Sequence, residues 1–570
     1  MFVKKSLFSL FIVYSTALYS FGQSVFVPLN QDYSHLVERF EIKSGELSDD
    51  FHSNVKPFER LGVIKLTERV ESDVSLRLSR VDEFNLYYLQ NDSWEWLKPN
   101  QMSRSNNKKP ILKYIYRKKS DFFHTSNSEI DFHVTPIFHY GTGVELVNSE
   151  ISENRPFINT RGVEMRGVLN QKLGFYTVVT ENQVLQPDYV KDFILKSEGF
   201  PYEGFTKITD DDSTRMMTDY FSARGYLIFR PIKNLQLQFG HDRNFIGSGI
   251  RSMILSDFSA PYLQLKANVQ VGKMQYMTIF GQLLNNQLAR PITGSLPVQP
   301  KYMAFHHLNF NVLKNLNIGI FESVIFGKRQ VGFDPNYLNP IIFYRFVEGL
   351  LGSSDNVMVG ADIKWNFLRT FSFYGQFVLD EFSRKEQQNS GWWAKKHGGQ
   401  AGLKYIDVAG ISNFDLQVEY NFARPYLYTH FSTYSNYVNY NVPLAHPLGA
   451  NFQELLITAR AQPFPRLTLN ATFMMAQQGE DIDGLNYGSN VLRLNSDRRI
   501  GDFDNFILQG RKTNINMIDA AVSYMLFHNC FLELHGTYRD YNSSDDALDK
   551  TGINATGAIR WNIGRMRKLF

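Results

Sequence analysis

The residue types best suited to chemistry gather in one stretch, FGHDRNFIGSGIRSMILSDFSAPYLQLK at 239–266. His241, Asp242 and Arg243 stand side by side and could do acid–base work. Gly247 and Gly249 frame a turn of the kind that cradles phosphate. Neither chemistry fits the spacing. No serine or second carboxylate has a fixed relation to the His-Asp-Arg run. GSGIRS lacks the lysine followed by Ser or Thr that a phosphate loop needs, and a strand-like alternation follows it where a helix should start. The expectation is structural: charged residues close a strand and reach a lumen or loop mouth, where they form an internal ladder, and glycines turn the backbone.

Metal chemistry finds no better footing. The 13 histidines show no ligand spacing, and His306 and His307 sit in a strand pattern that sends their rings to opposite sides. TDDDSTR at 209–215 lacks the glycine and distal glutamate of a calcium loop. Cys530 is the single cysteine, so no intramolecular disulfide forms. The expectation is no cofactor, no metal and no catalysis.

Two aromatic stretches suit binding instead. RPYLYTHFSTYSNYVNYNVPLAHP at 424–447 sets Tyr426, Tyr428, Tyr434 and Tyr437 among Ser, Thr and Asn. QQNSGWWAKKHGG at 387–399 sets Trp392 and Trp393 beside Lys395 and Lys396. Sugars lay their C–H faces on such rings and hydrogen-bond to the polar neighbours, and the lysines would attract an acidic polysaccharide. An interfacial aromatic girdle would have the same composition.

The elements that position these residues have two different periods. MFVKKSLFSLFIVYSTALYSFGQS has a basic start, an apolar core and small residues, so residues 1–22 read as a secretory signal peptide. Residues 23–128 are helix-rich. Tyr33, Leu36, Val37 and Phe40 share one helical face that Gly45 stops. Residues 56–70 predict a second helix, and residues 73–90 either a third helix or a pair of strands. From 129 to 570 the period is two. In NVMVGADIKWNF at 356–367 the odd positions are apolar and the even ones mostly polar. YLQLKANVQV, NFDLQVEYNF and LTLNATF repeat the scheme.

Such segments recur about 18 times, about ten residues each. Short turns near 272 and 465 alternate with long loops at 184–219, 383–397, 423–452 and 477–514. This predicts an all-β fold, a large antiparallel transmembrane β-barrel with a small N-terminal helical plug. In hydrocarbon a sheet spans only by closing on itself. A barrel this wide has a lumen that side chains alone do not fill, so the helical segment and long loops must plug it. The terminal Phe570 is expected to act as an outer-membrane assembly signal after the last strand. A mean hydropathy of −0.28 does not contradict a barrel, and the near-balanced charge of +4 argues against nucleic-acid binding.

The 239–266 stretch resembles the signature of the Wzi-like capsule-assembly family, and more narrowly the branch that includes the gliding-motility protein RemB. The signature residues are His241, Asp242, Arg243, Gly247, Gly249, Arg251, Ser252, Ser256 and Asp257. The resemblance continues at residues 27–45, 159–190 and 334–365. It implies an eighteen-stranded barrel, a helical bundle closing the periplasmic end, and no catalysis. It also implies that the signature shapes the barrel and its plug, while the sugar-contacting loops diverge. The implied function is binding or anchoring of capsular polysaccharide, or a part in gliding. The implied partners are outer-membrane lipid, surface polysaccharide and gliding or export machinery, with the chain a monomer in the outer membrane of a Gram-negative bacterium. A passive porin and an outer-membrane hydrolase are the competing readings.

Overall fold

The computed structural model describes residues 23–570 apart from 109, 112–113, 205, 213–214, 286–298, 330–331, 342 and 381–390. The signal peptide at 1–22 lies outside the described residues, as do the side chains of the acidic run at 209–215 and part of the 383–397 loop.

Eighteen long antiparallel strands among the described residues close into a barrel. They are β1 (Ile130–Val147), β2 (Phe157–Leu169), β3 (Leu173–Leu185), β4 (Arg215–Ile232), β5 (Leu235–Asp242), β6 (Tyr262–Val271), β7 (Met274–Asn285), β8 (Gln299–Leu313) and β9 (Leu316–Gly327). The ring continues with β10 (Asn356–Phe367), β11 (Phe371–Leu379), β12 (His397–Tyr405), β13 (Phe414–Ala423), β14 (Phe452–Phe464), β15 (Leu467–Glu480), β16 (Arg511–Phe527), β17 (Cys530–Ser543) and β18 (Lys550–Trp561). The seam closes where β18 pairs with β1, from Gly552 opposite Val147 to Trp561 opposite Phe138. Most connections at one end are two or three residues long, and those at the other end are long.

The alternation decides which side chains fill the lumen. In β10, Asp362, Lys364 and Asn366 are buried inside, while Val359 and Trp365 are exposed on the outer wall. His306 and His307 divide as the period requires. His307 lies inside, 2.7 Å from Asp362, and His306 lies outside against the Tyr344 ring.

Three helices precede the barrel: α1 (Gln31–Ser44), α2 (Arg60–Ser72) and α3 (Arg80–Asp92). Asn30 caps α1 at its start, and Gly45 at φ 75° ends it in the left-handed conformation that glycine tolerates. Val37, Phe40, Val63, Leu66, Leu86 and Leu89 form the core of this helical unit. Its charged faces tie it to the lumen wall. Glu41 pairs with Lys364 at 2.8 Å, Glu38 with Lys404, and Arg39 with Asp415 at 2.5 Å. Of the two readings for residues 73–90, the third helix holds over Arg80–Asp92, beginning at a Ser79 capping box, while residues 73–79 are the connection before it.

Two further elements lie elsewhere than the barrel pattern suggests. Helix α4 (Asp188–Ser197) sits in the long 186–214 connection. Helix α5 (Tyr344–Leu351) packs on the outside of the wall, where Tyr344 and Val347 cover Ala304, Val324 and Phe326.

Candidate functional site

The 239–266 stretch is the inner frame of the molecule. β5 ends at Asp242, and the chain then folds into the lumen before rejoining the wall at β6. Phe245 and Ile246 pair antiparallel with Lys56 and Val55 of the N-terminal segment. Gly249 and its neighbours do cradle an anion, and that anion is the protein's own. The Glu419 carboxylate of β13 accepts the N–H of Ile250 at 2.6 Å and of Arg251 at 3.0 Å. Successive backbone N–H groups turned to one side make such a nest for negative charge. Gly247, at φ 125°, allows the bend.

The other signature residues hold this inward loop in place. Ser252 donates to the Ile246 carbonyl at 2.5 Å and accepts the N–H of Ile254 and Leu255. Ser256 donates to the Ala445 carbonyl at 2.5 Å. Arg243 donates to the carbonyls of Tyr202 and Asp257, each at 3.2 Å. Burial, followed by the nearby Arg224, lowers the Arg243 pKa from its ordinary value. His241 departs from the expected internal ladder. Asp242 is buried in the lumen, so pleating sends its neighbour His241 to the exposed outer face.

The 424–451 loop also folds inward and packs on the signature loop. This corrects the expectation that its tyrosines offer free rings. Tyr426, Tyr428 and Tyr437 are fully buried, and Tyr434 nearly so. The hydroxyls of Tyr426, Tyr428 and Tyr437 donate to the carbonyls of Asn486, Met253 and Ile254, and Tyr434 bonds to Gln299. A buried ring needs a partner for its hydroxyl, and each finds one. Lys396 is likewise buried, donating to the Thr429 carbonyl at 3.0 Å.

What reaches the long-loop rim is smaller. Trp392 and Trp393 are half-buried on a tight turn tied to the 481–510 loop. Trp393 N–H donates to the Asp502 carbonyl at 2.9 Å, and Asn505 N–H to the Gly391 carbonyl at 2.7 Å. Trp393 is already occupied: the Arg499 guanidinium lies 4.0 Å from its ring centre and the Lys396 ammonium 5.3 Å. Trp392 and the half-buried Lys395 lie beside it, with Phe503 and Phe506 about half exposed on the adjoining loop. Sequence reading missed Arg499, Phe503 and Phe506. They are scattered singly through a long polar loop, so no local pattern marks them.

Phe570 lies beyond the last strand, not at its end. The chain leaves β18 at Trp561 and turns back into the lumen, so Phe570 is not on the barrel wall. Its ring packs against Phe193 at 4.7 Å, Phe258 at 5.6 Å and Tyr189 at 5.8 Å.

Comparison with known proteins agrees with this architecture. The family described as capsule assembly protein Wzi matches residues 178–554, which include the 239–266 stretch. No curated protein matches the chain. Among solved structures, the chain is similar to Wzi of Escherichia coli, described as an outer membrane protein involved in group 1 capsule assembly and a carbohydrate-binding β-barrel. That likeness has a TM-score of 0.55 at 12% identity, covering 95% of this chain and 100% of the other. Weaker likenesses include Acinetobacter baumannii OccAB1 (TM-score 0.41, 9% identity, 75% of this chain and 96% of that one). Pseudomonas aeruginosa OprD gives 0.38, 9%, 76% and 96%. The family match spans well over half of the 570 residues, and the chain belongs to the Wzi capsule assembly family.

Proposed function

We propose that this protein is a non-enzymatic barrel of the Gram-negative outer membrane whose long-loop end binds or holds surface polysaccharide. Residues 23–128 close the periplasmic end and residues 129–570 form the barrel. One observation carries the reading. The inner loops pack into a core, leaving a rim where Trp392, Lys395, Phe503 and Phe506 sit on loops cross-tied by backbone hydrogen bonds. Exposed aromatics held on a rigid base suit sugar stacking, because little loop entropy is lost on binding.

The lumen filling speaks against a passive porin. The N-terminal helices, the 243–261 loop, the 424–451 loop and residues 562–570 all occupy it. Single-channel conductance should stay near background until residues 24–128 are deleted.

The test is the fraction of extracellular polysaccharide retained on cells after clean deletion of the gene. Retention should fall while total synthesis holds. Unchanged retention would remove the anchor reading. If surface motility were lost at the same time, the gliding role implied by the RemB-like resemblance would take its place.

A further inference from the structure

A cavity of about 260 Å³ rises through the lumen from the short-turn end, where Pro465 and Arg466 line it. Ten arginines but only seven carboxylates face it. Several of these arginines are matched. Arg39 has Asp82, Asp407 and Asp415, Arg60 has Asp92, and Arg560 holds Glu533 through two nitrogens.

Arg460, Arg565 and Arg567 are different. Arg565 and Arg567 share one carboxylate, Asp32, at 3.5 and 3.0 Å. Arg460 stands across from Asp415 in the strand register, but among the described residues its hydrogen bond goes to the neutral Gln417 amide oxygen, at 3.1 Å. All three side chains are more than nine-tenths buried. Among the described residues, Arg460 Nε, Arg565 Nε and Nη1, and Arg567 Nη1 have no hydrogen-bond partner. Burial pushes the Asp32 carboxyl up, but Arg565, Arg567, Arg560 and Arg460 outweigh it and hold it well below the usual range. Four guanidinium groups therefore act on one carboxylate, with donors left over. Unpaired charged donors are costly to bury.

We propose that Arg460, Arg565 and Arg567 form a lumenal site for an oxyanion, a carboxylate, phosphate or sulfate group, entered between the N-terminal helices and the barrel wall at the short-turn end. The planar guanidinium fork matches those groups two oxygens at a time. The cavity falls just under the roughly 300–1,000 Å³ of ordinary small-molecule sites, which favours one small acid over a chain. The site is remote from the rim, so its failure leaves the surface reading untouched.

The test uses the full-length protein in detergent, with thermal unfolding followed by the gel shift of the folded barrel. Inorganic phosphate and glucuronate are the probes and glucose is the neutral control. Phosphate or glucuronate should raise Tm saturably and glucose should not. Tighter glucuronate binding assigns the site to a sugar acid, and tighter phosphate binding to the free ion. Arg460→Gln and, separately, Arg565→Gln should weaken the response at least tenfold, while exposed Lys65→Gln leaves it unchanged. Arg460→Gln should also raise Tm without ligand, since it removes an unmatched buried charge. A merely structural arginine would lower it. An equal phosphate response in parent and both variants, or an equal response to glucose, would overturn the proposal.

Discussion

Arg251, on the inward loop, holds Glu454 of the β14 wall at 2.8 Å, and both side chains are buried. The same guanidinium donates to the Leu569 carbonyl at 2.5 Å, and His446 bonds to the other side of Glu454 at 2.8 Å. One ion pair thus joins the signature loop, the wall, the 424–451 loop and the terminal segment. Removing one partner strands the other charge, at a cost of roughly 3–5 kcal/mol. Arg251→Met should lower the unfolding free energy by about that much. Arg251→Met with Glu454→Gln should recover part of it, measured as a double-mutant cycle in urea.

Gly249 should not tolerate a side chain. A Cβ there would come within 2.6 Å of both the Arg251 carbonyl and the Glu419 carboxylate. Gly249→Ala should open the nest and free the inward loop to protease while the heat-modifiable barrel remains. A cleavage pattern identical to the parent would show that the nest does not anchor this loop.

The barrel was largely legible in the sequence because one force, pleated alternation between apolar wall and polar lumen, acts on every strand. The Val359 and Asp362 faces of β10 follow from it directly. It fails where the chain leaves the wall. Tyr428 and Tyr437 look like binding aromatics because local composition does not tell a loop that projects from one that folds inward. Their burial depends on partners near residue 253, far away in the chain. Arg565 and Arg567 look like a basic tail for the same reason, since Asp32 is their partner only after the barrel closes.

The two tryptophans at the rim should behave differently. Trp393 is gripped by Arg499 and Lys396, so Trp393→Ala should loosen the turn by about 1–2 kcal/mol, the scale of a partly desolvated cation–π contact. Trp392→Ala should leave Tm unchanged and weaken polysaccharide binding severalfold on a glycan array or by affinity electrophoresis. Unchanged binding would take Trp392 out of the site.

Docking of the N-terminal helices should weaken in mild acid. His35 sits 2.9 Å from Asp415, and His52 accepts a hydrogen bond from Asn317 at 3.0 Å. Burial, chiefly, lowers both pKa values to about 4 from an ordinary 6.5. Both groups are neutral when docked, so the undocked state binds more protons between those values. Docking free energy therefore falls as pH drops from 6.5 to 4, by up to about 3 kcal/mol per histidine. Glu38 acts in a lower window. Burial raises it, but the wall lysine Lys404, chiefly, holds it below the usual range. Its contribution is lost only as pH falls through that depressed value. Hydrogen-exchange protection factors across residues 31–44, taken relative to the unprotected rate at each pH, should fall between pH 6.5 and 4, and fall less in His35→Gln with His52→Gln.

Helix α5 should be an external clamp that lipid sees. Its N-terminal N–H groups, at Tyr344 and Arg345, donate to the Glu322 carboxylate at 2.8 and 3.1 Å. Glu322 shares the outward face of β9 with exposed Ile318 and Ile320, so the helix covers a carboxylate on the apolar wall. Phe343, Phe346 and Leu350, spaced three and four apart, point away from the barrel and are 61%, 66% and 82% exposed. They continue the apolar band of the wall. A spin label at Phe346→Cys should be accessible to lipid-soluble oxygen and protected from aqueous nickel chelate in liposomes. Glu322→Ala removes the cap and leaves two N–H groups facing hydrocarbon, a costly arrangement that should detach the helix. The label should then gain mobility and aqueous exposure, while the barrel keeps its heat-modifiable form. A label that stays buried from both probes would place a protein surface, rather than lipid, against α5.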